Sequence, residues 1–431
     1  MRLIGRMLLV MLLITAAGCS LITPAGSTLS GGEATPTMGV TEVTSTPVPT
    51  ATQAGPMTLT IWLPPQFDPQ SGTPAGEIFK QALQDYQKDH PEILVDVRVK
   101  APEGPAGLLE SLAAAEPVAP AVVPSIIALQ RPDLETAALK GMIYPMEAEA
   151  AGMQEADWFA YARDLARVQD TVFGLPFAGD ALLMLYRPGH LSFIPTSWEQ
   201  ILVSGMGVSL PAGDPQALAS LALYLSAGAA IQDEQGRPFL ELETLQSELE
   251  LYARGLNAGV FTPALTTVNT DGMAWQNYRD GVDHLAVSWA SRYLSERPAD
   301  TMSTFLPGLA EQSYVLADGW AWAVADPQPA RRLAAIQLAR YLSSEEFLKK
   351  WSQPAGYLPV RPSSLDGWTD FNLRDTMTRI SQAARLRPAN DLVASLGMVF
   401  QASVGQVLTR QADPQTAAQS AVERLLLPQN P

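Results

Sequence analysis

Three histidines, one cysteine and a surplus of carboxylates are the groups with which this chain of 431 residues could do chemistry. His90, His190 and His284 fall at a predicted helix end, in a loop and at a strand start. No His-Glu-x-x-His run or similar pairing brings two of them to one face, so no metal site is expected. No Gly-x-Ser-x-Gly elbow occurs, and no glycine-rich phosphate loop opens a helix. The 44 Asp and Glu residues do not by their number make an acid–base pair, because such a pair is defined by distance in the fold. These absences predict a chain that is not an enzyme and that uses no cofactor.

The single thiol has a telling context. Arg2 and Arg6 precede the apolar run Met7–Ile14, and the small residues Ala16, Ala17 and Gly18 lead into Cys19. The run is too short to span a bilayer, so residues 1–18 read as a secretory signal. A cysteine at this place resembles the bacterial lipobox, with Ala16 standing where Leu is usual. That resemblance implies acylation of Cys19, which becomes the mature N-terminus, and anchoring on the extracytoplasmic face of the cell membrane. Residues 19–56 are rich in Thr, Ser, Pro and Gly and lack the apolar side chains that would offset backbone ordering. They read as a flexible tether, holding the rest of the chain roughly 30–35 Å from the lipid.

Beyond the tether the chain is long enough for two domains. Its 47% hydrophobic and 17% charged residues describe a packed globular body. A formal charge of −16, two units more negative once the leader is removed, disfavours nucleic acid as a partner. With one cysteine there is no internal disulfide to expect.

Any binding residues must be carried by an alternation of strands and helices. Residues 57–63 read as a strand, the apolar spacing of Phe79, Ala82, Leu83 and Tyr86 as a helix, and residues 93–99 as a second strand. A short helix near 105–116 precedes a third apolar run at 121–128. Gly174–Tyr186 reads as a turn feeding a strand. Helices near 197–204, 215–229, 241–258 and 271–280 come next, then strands at 284–288 and 319–325, a helix at 328–343 and a helical C-terminal stretch. The succession predicts an α/β fold with parallel strands joined by helical crossovers.

The order of certain segments resembles the family 1 extracellular solute-binding proteins of ABC importers. These are Asp85–Pro91 leading into the Val-rich strand, Phe173–Phe177 through Tyr186, Pro195–Ile201, Gly319-Trp320, Leu342–Phe347 and Gly356–Arg361. The resemblance implies a type II, two-lobed periplasmic-binding-protein-like fold, each lobe a mostly parallel sheet flanked by helices. It puts three interlobe crossings near 178–181, 318–322 and 357–362. The N-terminal lobe would be 57–179 plus 321–360, and the C-terminal lobe 180–320 plus 361–427. It further implies a monomer that takes a small solute, a sugar foremost, and passes it to transmembrane permease subunits. A sensing or adhesion lipoprotein on the same scaffold, or a glycan-acting enzyme, is the alternative.

A sugar site needs aromatic platforms beside groups that accept and donate hydrogen bonds. Trp62 ends the first strand, at the edge where α/β sheets offer ligands a crevice. Asp180 stands where the family's maltose-binding member carries a sugar-binding Glu. Trp320, at the second crossing, and Trp322 share one strand face; Trp320 is the cleft candidate and Trp322 is assigned to packing. Trp289 comes directly after a strand, and Tyr357 lies in the third crossing. Gln130 falls where relatives often carry an acid. The stretch Leu396–Phe400 lacks the platform tryptophan of the maltose-binding member, with Phe400 as its only aromatic.

Overall fold

The computed structural model describes residues 55–116, 122–149, 152–154, 157–310 and 312–426. The signal segment, Cys19 and nearly all of the tether lie outside the described residues.

Runs of β-branched and aromatic residues form the strands, and turn residues cut them. In chain order they are β1 (Met57–Leu63), β2 (Ile93–Val99), β3 (Ile126–Gln130), β4 (Arg167–Val168), β5 (Thr171–Val172), β6 (Gly174–Tyr186), β7 (Val208–Ser209), β8 (Leu285–Trp289), β9 (Met302–Phe305), β10 (Val315–Val324) and β11 (Ala384–Leu386). Among the described residues nine strands join one sheet in the order β2-β1-β3-β10-β6-β8-β7, with β11 beside β10 and β9 beside β6. β1 runs parallel to β2 and β3, and β7 parallel to β8. Every antiparallel pairing in this sheet involves β6 or β10. Two α/β lobes built on parallel strands are thus joined by two long strands that run through both.

The turn expected to open Gly174–Tyr186 is itself part of β6, a strand of 13 residues. Its side chains are buried on both faces, which explains the near-continuous apolar run. Leu183 and Leu185 join one hydrophobic core with Phe79, Tyr161 and Trp322, while Leu182, Met184 and Tyr186 join a second with Tyr224, Tyr252 and Phe400. The helix Asn390–Leu408 is long and apolar enough to cross a membrane, yet over half of it is buried and it belongs to the second core.

The three expected crossings lie side by side. Gly179 on β6 is opposite Gly319 on β10, and on its other edge it bridges Leu358. The bridge is closed by Gly179 N–H to the Leu358 carbonyl at 2.9 Å and Leu358 N–H to the Gly179 carbonyl at 2.8 Å. The Tyr161 side chain lies against Gly179 and donates to the Pro359 carbonyl at 2.6 Å. A Cβ at Gly179 would overlap that hydroxyl, so the close approach of the ring requires glycine here.

Candidate binding site at the crossing strands

Directly beyond β1 the chain enters the short helix Pro65–Phe67, whose residues meet β6 and β10. The Phe67 ring packs against Phe177 at 5.0 Å, Trp320 at 5.4 Å and Tyr357 at 5.3 Å between centroids. The neighbouring Gln66 is exposed, and its side chain lies near enough to the Tyr357 hydroxyl to favour its charged form. Burial pushes that phenol well above its ordinary range.

Farther along β6 lies Asp180. Its Oδ1 accepts from its neighbour Ala181 N–H at 2.9 Å and from Ser291 N–H at 3.0 Å, and its Oδ2 accepts from the Ser291 hydroxyl. Ser291 is placed by the helix Ala290–Glu296, which begins directly at the end of β8. Burial pushes the Asp180 carboxyl up to about 7, although the Ser291 and Ala181 bonds pull the other way. Arg292, on the same helix, is half-exposed and pairs with Asp271 at 3.0 Å. It lies close enough to Asp180 and Tyr357 for their charges to act on it. Asp271 is held in position by Thr270, which caps its helix by accepting from Met273 N–H at 3.2 Å.

A second polar group lies one strand away. Asp318 on β10 is directly opposite Asp180. It is 1% exposed and accepts from Arg387 Nη1 at 3.2 Å and from Gln130 Nε2 at 3.3 Å. Arg387 Nη2 in turn donates to Gln216 Oε1 at 2.8 Å. Burial raises the Asp318 carboxyl, and Arg387 offsets this. On the helix after β3, burial and the charges of Glu110 and Glu103 push Asp133 up to about 7.

Five of the six residues singled out in the sequence lie around the crossings: Asp180, Tyr357, Gln130, Trp320 on β10 opposite Gln130 and Ala178, and, at the end of β8 and half-buried, Trp289. Two need correction. Trp62 is 3% exposed, with the Lys100 ammonium 4.2 Å from its ring centroid, because β1 is flanked by β2 and β3. It is a core residue and not a platform. Trp320 is 6% exposed, because β3 and β6 flank its strand and Phe67 meets its ring edge-on. It forms the floor under Phe67. Trp322 packs in the core, stacked on Phe177 at 4.1 Å. Phe400 is fully buried against Tyr224, and the exposed apolar side chain of that stretch is Met398. Gln66, Ser291 and Arg292 were not legible as candidates. Gln66 lies just past the first strand at the sheet's ligand edge, a cue that favours the larger Trp62 when residue type alone is weighed.

The assembled groups are amides, carboxylates, a guanidinium and half-buried rings gathered around β6 and β10. Such a set can bracket a neutral, hydroxyl-bearing solute.

Comparison with known proteins agrees with this architecture. The family model described as bacterial extracellular solute-binding protein matches residues 81–374. No curated protein matches the chain. Among solved structures, the sugar-binding protein MalE of Xanthomonas citri superposes with a TM-score of 0.69 at 18% identity, over 86% of this chain and 96% of that one. Maltose-bound MalE3 of T. maritima gives 0.65 at 17% identity, over 86% and 100%. The GacH receptor of Streptomyces glaucescens, solved without ligand and with acarbose, gives 0.65 at 16% identity, over 86% and 98%. At these identities the likeness is one of fold.

Proposed function

The chain belongs to the bacterial extracellular solute-binding proteins, and from that premise we propose that it captures a small carbohydrate between its lobes and delivers it to the membrane subunits of an ABC importer. The observation that carries this reading is the convergence of Gln66 and Tyr357 from one lobe with Asp180, Ser291 and Arg292 from the other, at the level where the three crossings lie side by side. A solute that bonds both sets favours the closed form by its differential affinity for the two states. Structures of like fold described with maltose and acarbose support a sugar over other solutes. In this reading residues 57–179 with 321–360 make one lobe, and 180–320 with 361–427 the other. Cys19 carries the lipid, and residues 20–56 tether the lobes to the outer face of the membrane.

A thermal-shift screen over sugars, polyols and oligosaccharides tests the ligand class. Solution scattering with a hit from that screen should show a smaller radius of gyration than the empty protein. A tight ligand without compaction would overturn the closure model. Anchoring has its own test: Cys19→Ala should release the protein from the membrane fraction, and metabolic labelling should find a fatty acyl group on the wild type.

A further inference from the structure

An ionised carboxylate has about four places at which it accepts a hydrogen bond, two on each oxygen. On Asp180, Ala181 N–H and Ser291 N–H fill both places on Oδ1, at 2.9 and 3.0 Å. Oδ2 accepts from the Ser291 hydroxyl and, among the described residues, from nothing else. One place on that oxygen is left.

Ser291 is committed in the complementary sense. Its N–H and its O–H are both given to Asp180, and among the described residues nothing donates to its hydroxyl oxygen. A serine hydroxyl keeps its acceptor lone pairs when its proton is engaged. The pair therefore offers two acceptors and no donor, set one hydrogen bond apart. Both residues keep part of their surface exposed, whereas Asp318, opposite Asp180, is 1% exposed and closed off by Arg387. Such a pair selects by charge and by spacing. A carboxylate or phosphate would set lone pairs against lone pairs, while hydroxyls bring protons. Two hydroxyls on adjacent ring carbons hold their oxygens about a hydrogen bond apart, which is the separation of the two acceptors. Hydroxyls on opposite sides of a ring reach only one of them.

We infer that Asp180 and Ser291 act as one element that reads a vicinal diol. One hydroxyl of the solute donates to Asp180 Oδ2, and its neighbour on the next carbon donates to Ser291 Oγ. Ser291 thus has two tasks: it fixes the carboxylate, and it supplies the second acceptor. The inference rests on the carbohydrate reading above and adds which feature of the solute this part of the site takes.

Amide NMR titration of the 15N-labelled full-length protein tests this, with trans-1,2-cyclohexanediol as probe and trans-1,4-cyclohexanediol as the isomer of wrong spacing. The Ala181 and Ser291 amides, both bonded to Asp180, are the reporters. The 1,2-diol should shift both resonances saturably, and the 1,4-isomer should bind roughly tenfold more weakly. Ser291→Ala should weaken the 1,2-diol roughly tenfold, while Ser291→Thr, which keeps the hydroxyl, should retain it. The response should be larger at pH 8 than at pH 5.5, because burial holds the Asp180 proton up to about 7 and a protonated carboxyl has one acceptor fewer. Asp271, Tyr161, Tyr357 and Arg292 also face that carboxyl, and the last three are raised and keep their protons over this range. Should Ser291→Ala fail to fold, the two isomers on the wild type still decide the matter. Unmoved reporters, equal response to both isomers, or an unchanged response in folded Ser291→Ala would each overturn the inference. The carbohydrate reading fails separately. If the diol binds and no sugar does, the pair keeps its role and carbohydrate capture falls. A sugar that binds and compacts Ser291→Ala as it does the wild type leaves capture standing and removes the diol element.

Discussion

Asp180 and Asp318 face each other on adjacent antiparallel strands, yet the protein treats them differently. Asp318 is closed off, with Arg387, Gln130 and the Gly319 N–H filling its coordination and 1% of its surface exposed. Asp180 is only partly buried and is held by a serine and by backbone N–H groups, and among the described residues no cation is bonded to it. The same carboxylate at the same level of the crossing is in one case a fastener and in the other a group with capacity to spare. The difference lies in the side chain that each one meets. Arg387, from the segment after β11, reaches Asp318, whereas the residue that reaches Asp180 is the small Ser291.

The largest expected effect breaks the fastened side. Arg387→Ala leaves Asp318 buried without its partner, and removing one member of a buried ion pair costs about 3–5 kcal/mol. Urea unfolding should show this loss with little change in slope. A loss below about 1 kcal/mol, the range of exposed ion pairs, would mean that Asp318 is solvated in solution and that the contrast with Asp180 does not hold.

Gly179, between the two carboxylates' strands and the third crossing, comes next. Gly179→Val forces a side chain onto Tyr161, and overpacking of this kind costs about 1–3 kcal/mol. A second change, Tyr161→Ala, should restore room and make the pair of substitutions less costly than their sum. Strict additivity would show that the tyrosine does not constrain the crossing.

Asp180 should matter for ligand and for pH more than for folding at low pH. Asp180→Ala removes an acceptor for ligand hydroxyls, worth about 1–3 kcal/mol, so affinity should fall roughly tenfold or more. A carboxyl in the unfolded chain loses its proton near 3.8, whereas folded Asp180 loses it at about 7. Between those values the folded protein keeps a proton that the unfolded chain has released. Stability therefore falls as pH rises through this window and levels off above it. Asp180→Asn should lose that part of the fall, and Asp133→Asn a further part, since Asp133 is raised to a similar value. Melting curves for wild type and variants between pH 4 and 8 give the comparison. Parallel curves for wild type and Asp180→Asn would show that the carboxyl is not perturbed.

Much of the scaffold was legible because apolar spacing reports strands and helices directly. The helix predicted over 271–280 is observed as Asp271–Arg279, and the one over 241–258 as Leu242–Ala258. The start of β6 reads as a turn because Gly174, Pro176 and Gly179 are residues that turns favour. Pro176 is tolerated inside the sheet beside the irregular register at Trp320 and Ala321, where an extra residue interrupts the ladder. The site was less legible for a related reason. Residue type shows that a tryptophan can stack, while its exposure depends on which strands flank it, and those neighbours are distant in sequence. Ser291 and Gln66 carry no periodic signal at all; only the fold brings them to Asp180 and Tyr357.

The smallest expected effects sharpen the distinction between the two kinds of tryptophan. Trp62 lies beneath Lys100, and its indole N–H is buried without a partner. Trp62→Phe removes that unpaired donor while opening a little space, so the two effects partly offset and the net change should stay under about 1.5 kcal/mol. Ligand affinity should be unaltered, because the ring is covered by a side chain and its strand is paired on both edges. Trp289 is half-buried at the mouth of β8, directly before the helix that supplies Ser291 and Arg292. Trp289→Phe trims a platform without emptying a core, so affinity should drop a few-fold while the melting temperature holds. Affinity that responds to Trp62 and ignores Trp289 would move the ligand from the end of β8 to the end of β1. The open carboxylate at Asp180 would then need another partner than the one proposed.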